Sequence, residues 1–158
     1  MPEGSEQVYL TAEGREDLRR ELDTLLNVRR PALAQKLKEA VAEGDLKENA
    51  DYHDTREQMA FVDGRIHYIE AVLRDAVIIT NNGKSDIVNV GSTVTIVEQD
   101  SDDEETYIIV GAAEANPSEG KISNVSPIGQ ALLGRKKGDK VRVTTPGGEM
   151  IFKIKKVN

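Results

Sequence analysis

Tyr52, Thr55, Met59, Val62, Ile66, Ile69 and Leu73 return in alternating steps of three and four residues. That spacing is the heptad seam of a coiled coil, and it commits this stretch to a long helix that needs a second helix against it. The partner lies upstream. Leu18, Leu22, Leu25, Leu33 and Leu37 follow Thr11, a reasonable N-cap, at spacings compatible with one helical face. Only Ala42-Glu43-Gly44-Asp45-Leu46 joins the two stretches, so they are predicted to lie antiparallel, with Gly44 ending the first helix and Asp45 opening the second. At about 1.5 Å per residue the second helix alone reaches on the order of 40 Å. Pro31 interrupts the first helix; its missing N–H and its ring predict a kink or a one-turn break between Asn27 and Ala32. Such a seam also serves plain core packing or dimerisation, so it does not by itself name a function.

The pattern changes after Asp75. Pro and Gly are sparse from Thr11 to Asp75, whereas Asn81-Asn82-Gly83, Gly91, Gly111 and Pro146-Gly147-Gly148 punctuate the remainder. Val77 to Ile79, Thr93 to Val97, Thr106 to Val110, Lys121 to Val125, Val141 to Thr144 and Ile151 to Ile154 are short β-rich runs between turn residues, which predicts an antiparallel sheet. Pro127 to Leu133 reads as a short helix laid on it and ended by Gly134, and Asp100 to Glu105 as a solvated hairpin tip. The expected organisation is α+β in two domains, residues 1–75 and 76–158.

Charge and composition remove several function classes. The net charge is −7, carried almost wholly by residues 1–75, so a general basic footprint for duplex nucleic acid is not expected and any such contact must be local. There is no Cys, which excludes disulfides, thiol catalysis and thiolate zinc sites. His53 and His67 are the only histidines, and no Ser in a strand-to-helix elbow accompanies either. No apolar run approaches the roughly 20 residues of a membrane span, and Met1 to Leu10 lacks a basic-then-apolar leader; a cytoplasmic chain without membrane contact is expected.

The connection between the helices carries the chemistry. Asp45 as N-cap and Glu48 at the third helical position form an Asp version of the capping box, both favoured by the helix dipole. The same placement brings two carboxylates together on an exposed first turn. Mg²⁺ takes one or two protein carboxylates plus waters, so this pair suits a divalent cation shared with another macromolecule better than one held by this chain alone. Arg29, Arg30, Lys36 and Lys38 lie along the first helix, and Lys47 and Arg56 follow on the tip side. They read either as a solvated face or as a small patch for RNA phosphates. Tyr52 can stack on a base or pack in the seam.

Gly44-Asp45-Leu46-Lys47-Glu48-Asn49-Ala50-Asp51-Tyr52-His53, with Arg56-Glu57-Gln58 and Gly64-Arg65-Ile66, resembles the tip and second helix of the GreA/GreB family of bacterial transcript cleavage factors. The resemblance continues in Val28-Arg29-Arg30-Pro31, Ser126-Pro127-Ile128, Leu133-Gly134-Arg135-Lys136-Lys137-Gly138-Asp139 and Thr145-Pro146-Gly147-Gly148, and so covers nearly the whole chain. It is nearer to the GreA branch than to the GreB branch. Asp51 stands where Glu is expected, and Met59-Ala60 where Gln-Gly or Gln-Ala is commoner.

The resemblance implies a coiled-coil hairpin followed by an FKBP-like domain, acting as a monomer on RNA polymerase. It implies that the hairpin enters the secondary channel and sets Asp45 and Glu48 beside the polymerase's own metal, jointly holding a second Mg²⁺ that the free protein does not bind tightly. The polymerase then cleaves a backtracked transcript. Arg56, Lys47, Arg29 and Arg30 would contact the RNA 3′ segment, and Ser126, Pro127 and Ile128 the outer rim of the channel. The chain would be an accessory factor, not an enzyme. Two rivals stand beside this: a channel-binding regulator that does not promote cleavage, and a prolyl isomerase. The second is disfavoured because residues 76–158 hold only Tyr107 and Phe152 as aromatics, too few to wall a proline pocket.

Overall fold

A computed structural model describes residues 7–80 and 85–158. The expected turn at Asn81-Asn82-Gly83 lies outside them. The chain forms two compact units, Arg15–Asp75 and the combination of Met1–Gly14 with Ala76–Asn158. In this division the segment before Arg15 goes with the β-rich unit, and the helical unit ends at Asp75.

In the helical unit, α1 (Ala12–Thr24) runs into a π-turn (Leu25–Arg29) and then α2 (Arg30–Ala42), and α3 (Ala50–Asp75) follows the connection. Pro31 explains the π-turn. It sits in the first turn of α2, where it cannot donate to the carbonyl four residues back and its ring crowds that carbonyl. The helix widens instead of breaking: the Arg30 N–H donates to the Leu25 carbonyl, one residue beyond the α-helical partner. Leu33, Val62 and Ile66 form the buried seam, flanked by Leu22, Leu25 and Met59. Each of the three buried side chains contributes at most about 1.5–3 kcal/mol by leaving water. Near the end of α3 the buried side chain is Val72, with Leu73 only half-buried. A straight α-helix gains about 20° on each heptad, which rotates the seam off its expected last position.

Two ion pairs cross this unit. Arg65 grips Glu21 with both arms, Nε to Oε1 at 2.6 Å and Nη2 to Oε2 at 2.9 Å, and Arg30 Nε meets Asp63 Oδ1 at 3.1 Å. The Arg65 hydrogen bond holds the Glu21 carboxyl below its ordinary range, against a smaller opposing effect of burial.

The other unit contains a five-stranded sheet. Its strands are β3 (Thr93–Glu98), β4 (Glu104–Val110), β5 (Lys121–Ser123), β6 (Lys140–Thr145) and β7 (Gly148–Val157), in the order β5-β4-β3-β7-β6. The sheet is mixed, not antiparallel as expected: β5 runs parallel to β4. The 3₁₀ turns Ala112–Glu114 and Pro117–Glu119 carry the chain back across the sheet end, giving β5 the same direction as β4. Val94 and Ile96 of β3, Val141 and Val143 of β6, and Phe152 and Ile154 of β7 point alternately inward, and α4 (Pro127–Leu132) closes the core with Leu132. The loop between β3 and β4 is the solvated acidic tip anticipated.

β1 (Tyr9–Thr11) was not anticipated. It pairs in parallel with β2 (Val77–Ile79), which is thereby outside the large sheet. Parallel partners need a long crossover, and residues 12–75 supply it. Leu10 is fully buried, and Gly111 lies so close to β1 that a Cβ there would fall 1.7 Å from the Tyr9 carbonyl oxygen. Thr11 caps α1, its Oγ1 accepting the Gly14 N–H at 3.1 Å, while its own N–H and hydroxyl donate to the Glu114 carboxylate.

Candidate functional site

The helical tip is built by hydrogen bonds, because residues 43–48 are all exposed and offer no packing. Glu43 N–H donates to the Ala40 carbonyl at 3.3 Å and Gly44 N–H to the Val41 carbonyl at 3.2 Å. Gly44 has φ +82°, the left-handed stop that glycine adopts at least cost. Asp45 follows with φ +34°, the only non-glycine residue with positive φ among those described. Asp is one of the few types that tolerate this region. The Glu48 N–H then returns to the Asp45 carbonyl at 3.3 Å and closes a turn.

This geometry corrects the capping-box reading. α3 starts at Ala50, so Asp45 is not its N-cap and Glu48 is not in its first turn. Asn49 takes the role: its Oδ1 accepts the Tyr52 N–H at 3.1 Å. Its Nδ2 also donates to the Ala40 carbonyl at 2.8 Å, a bond that no carboxylate can make. His53 adds a second tie, Nε2 to the Lys47 carbonyl at 3.2 Å, which requires a proton on Nε2. Asn49 and His53 were missed in the sequence. The signal available was an Asn, a strong N-cap former, directly before a helical run.

Freed of capping, the carboxylates of Asp45 and Glu48 have no hydrogen bond or ion pair among the described residues, and both are exposed. No three His, Asp or Glu side chains among the described residues converge as a metal site. A divalent cation at this tip therefore has at most these two protein carboxylates, which fits an ion shared with a partner and does not fit a closed protein cage.

The basic residues do not form one free patch. Arg56 lies over the Tyr52 ring, its Cζ 5.6 Å from the centroid and its Nη1 donating to the Tyr52 hydroxyl at 3.3 Å. Tyr52 is half-buried and its ring makes a T-shaped contact with His53, centroids 5.5 Å apart, so with Arg56 over it the ring is not a bare stacking platform. Arg30 is engaged by Asp63, and Lys36 shares a groove with Glu39, Glu43, Asp51 and Asp54. Carboxylates from α3 thus face a stretch of α2 that holds no acid of its own before Glu39. Lys47 and Arg29 are exposed, with no side-chain partner among the described residues.

In the β-rich unit, Ser126 caps α4: its hydroxyl donates to the Ser123 carbonyl at 2.7 Å and accepts the Gly129 N–H at 3.1 Å, with Pro127 in the first turn. Pro127 is exposed. Ile128 is half-buried against the core, so it is less available than the sequence suggested, while Val125 beside the cap is 47% exposed. Phe152 is buried in the core, and the Tyr107 hydroxyl donates to Glu105 at 2.8 Å. A cleft of about 380 Å³ in this unit, lined by Ile79, Thr93, Ile108 and Val110 among others, contains no aromatic wall.

Residues 8–78 match the family model described as transcription elongation factor, N-terminal, and residues 83–158 match the model described as transcription elongation factor, GreA/GreB, C-term. The chain is 49% identical over 154 residues to the transcription elongation factor GreA of Bacillus subtilis, covering 97% of this chain and 98% of that one. It is 48% identical over 149 residues to the GreA of Geobacillus kaustophilus, covering 94% of each. Among solved structures, the GreA factor homolog 1 (Gfh1) protein of Thermus thermophilus aligns at 28% identity over 96% of this chain and 99% of that one, with a TM-score of 0.45.

Proposed function

The chain belongs to the GreA/GreB family of transcription elongation factors, and from that membership we propose that its helical tip completes the RNA-cleaving centre of RNA polymerase. The chain is an accessory factor of RNA polymerase and stimulates transcript cleavage through it. The observation that carries the residue assignment is the pair of exposed, unpartnered carboxylates on a hydrogen-bonded turn at the end of a long helix pair.

In this reading the helix pair enters the secondary channel, and Asp45 and Glu48 hold a Mg²⁺ ion jointly with the polymerase. Bound there, the ion supplies an activated water and charge stabilisation for phosphodiester hydrolysis. The work of this chain is to deliver two negative charges without desolvating them in advance. Neither carboxylate has a partner to give up among the described residues, so both are ready to ligate. Lys47 and Arg29 contribute positive charge toward the extruded 3′ segment of the RNA. Ser126, Pro127 and Ile128 belong to the surface that meets the channel rim, with exposed Pro127 and Val125 offering the contact and Ser126 setting its shape.

The test is to add the protein to a stalled, backtracked polymerase complex and follow the transcript. Internal cleavage with recovery of elongation is expected. Binding that blocks or alters synthesis without shortening the RNA would support the regulator reading instead.

Arg56 has a role that depends on its stacked position. With its guanidinium over Tyr52, it is held toward the solvent side of the tip, where it can meet RNA phosphate. Arg56→Ala is expected to slow cleavage by about threefold to tenfold at low salt. The gap should narrow as salt is raised, since counterions already weaken the wild-type contact. Equal rates for both proteins across the titration would make Arg56 a solvated helix residue.

A further inference from the structure

The geometry points to Asn49 as the positioning residue of the acidic pair: one side-chain amide keeps the turn bearing Asp45 and Glu48 in its ligating shape before any partner is met. This rests on the cleavage reading above. The turn has no apolar support, and it holds a non-glycine residue, Asp45, at φ +34°. A backbone in that region persists only where its surroundings over-determine it. The surroundings here are few. The Gly44 and Glu48 N–H bonds to Val41 and Asp45 are local, and the His53 ring, bonded to the Lys47 carbonyl at 3.2 Å, ties the middle of the turn forward to α3 and not back to α2. Asn49 is the residue that ties the far end of the turn back to its start, through Nδ2 to the Ala40 carbonyl at 2.8 Å and a longer approach to the Gly44 carbonyl at 3.5 Å. Ala40 is buried in the last turn of α2, so this bond is anchored on packed helix and not on the exposed turn.

The same side chain does two separable things. Oδ1 caps α3 at the Tyr52 N–H, which any short hydroxyl or carbonyl side chain can do. Nδ2 spans nine residues to α2, which needs the length and the donor of an amide. Asn49→Ser therefore keeps a cap and removes the tie, without adding charge near the carboxylates. Asn49→Ala removes both.

The consequence is a population effect. With the tie gone the turn samples other conformations, and a cation meets the paired carboxylates in only a fraction of molecules. Apparent affinity falls by that fraction, while saturating cation restores the competent state. Loss of folded protein acts otherwise, lowering the plateau and leaving the half-saturating concentration alone.

The experiment uses the full chain in two measurements. Amide exchange of the free protein by NMR should show the Gly44 and Glu48 N–H groups exchanging about tenfold faster in Asn49→Ser, with α2 and the β-rich unit unchanged. Cleavage of a backtracked complex titrated with Mg²⁺ should show the half-saturating concentration raised about threefold to tenfold, with a plateau near wild type. Asn49→Ala should show the same shift and in addition earlier melting. Wild-type exchange at the tip together with a wild-type Mg²⁺ midpoint in Asn49→Ser overturns the proposal, as does a lowered plateau with an unmoved midpoint. Asp45→Asn, run alongside, separates the two levels: if it cleaves as wild type, the cleavage reading fails, and the exchange data alone still decide whether Asn49 shapes the turn.

Discussion

Asp45→Asn and Glu48→Gln are each expected to slow cleavage of a backtracked transcript by about 10²- to 10³-fold, the scale on which removal of a group acting directly on the reacting centre is felt. Both replacements are nearly isosteric and remove only charge. Because neither carboxylate makes a hydrogen bond or ion pair among the described residues, stability should change by no more than about 0.5 kcal/mol. Asn is at least as tolerant as Asp of the left-handed backbone at position 45, so the turn should keep its shape. Polymerase binding, measured by competition with labelled wild-type protein, should persist. Under the capping-box reading a cap survives both replacements, because Asn caps a helix as well as Asp and Gln serves at the third position as Glu does, so cleavage per folded molecule would stay at the wild-type level. Single-turnover cleavage and thermal melting on the same preparations separate the two. A variant that melts early but cleaves normally per folded molecule would return these residues to a structural role.

The second large effect concerns the division of labour between the units. A protein in which residues 15–75 are replaced by a flexible Gly/Ser linker is expected to fold and bind polymerase weakly, and to cause no cleavage. The design must retain β1. Residues 76–158 alone lose Leu10, which is fully buried, at a cost of about 2–4 kcal/mol, together with the Thr11 contacts to Glu114. The complementary piece, residues 15–75, keeps the acidic tip but loses its tether. Without the effective concentration that tethering provides, it should need about 10²- to 10⁴-fold more protein to reach the same rate. RNA shortening is followed as each piece is titrated onto backtracked complexes, with helicity of the rod confirmed separately. Cleavage by the β-rich piece, or none by a folded helical piece at any concentration, would sink this assignment.

Features written within a few residues of themselves were legible in the chain. The three-four spacing from Tyr52 onward, the stop at Gly44, the Ser126 cap and the inward alternation of β3, β6 and β7 all follow from local periodicity and backbone preference. The paired acids were also visible, as residue types at a spacing.

What the tertiary structure decided was every choice between competing partners. Asp45 and Asn49 both carry an acceptor suited to a cap, and Asn49 prevails because its amide also reaches Ala40, a carbonyl on the other helix. β1 is three residues long and has no hairpin signal of its own; it exists because β2 arrives beside it after a long crossover. Arg30 was one cation in a basic run until α3 set Asp63 3.1 Å away. The direction of β5 was likewise invisible, since strand propensity is the same for parallel and antiparallel neighbours. A local signal specifies what a segment can be. Which donor meets which acceptor depends on how segments fold back on one another, and here Asn49, tied to α2 across the connection, starts α3 after the turn and leaves Asp45 and Glu48 exposed on it.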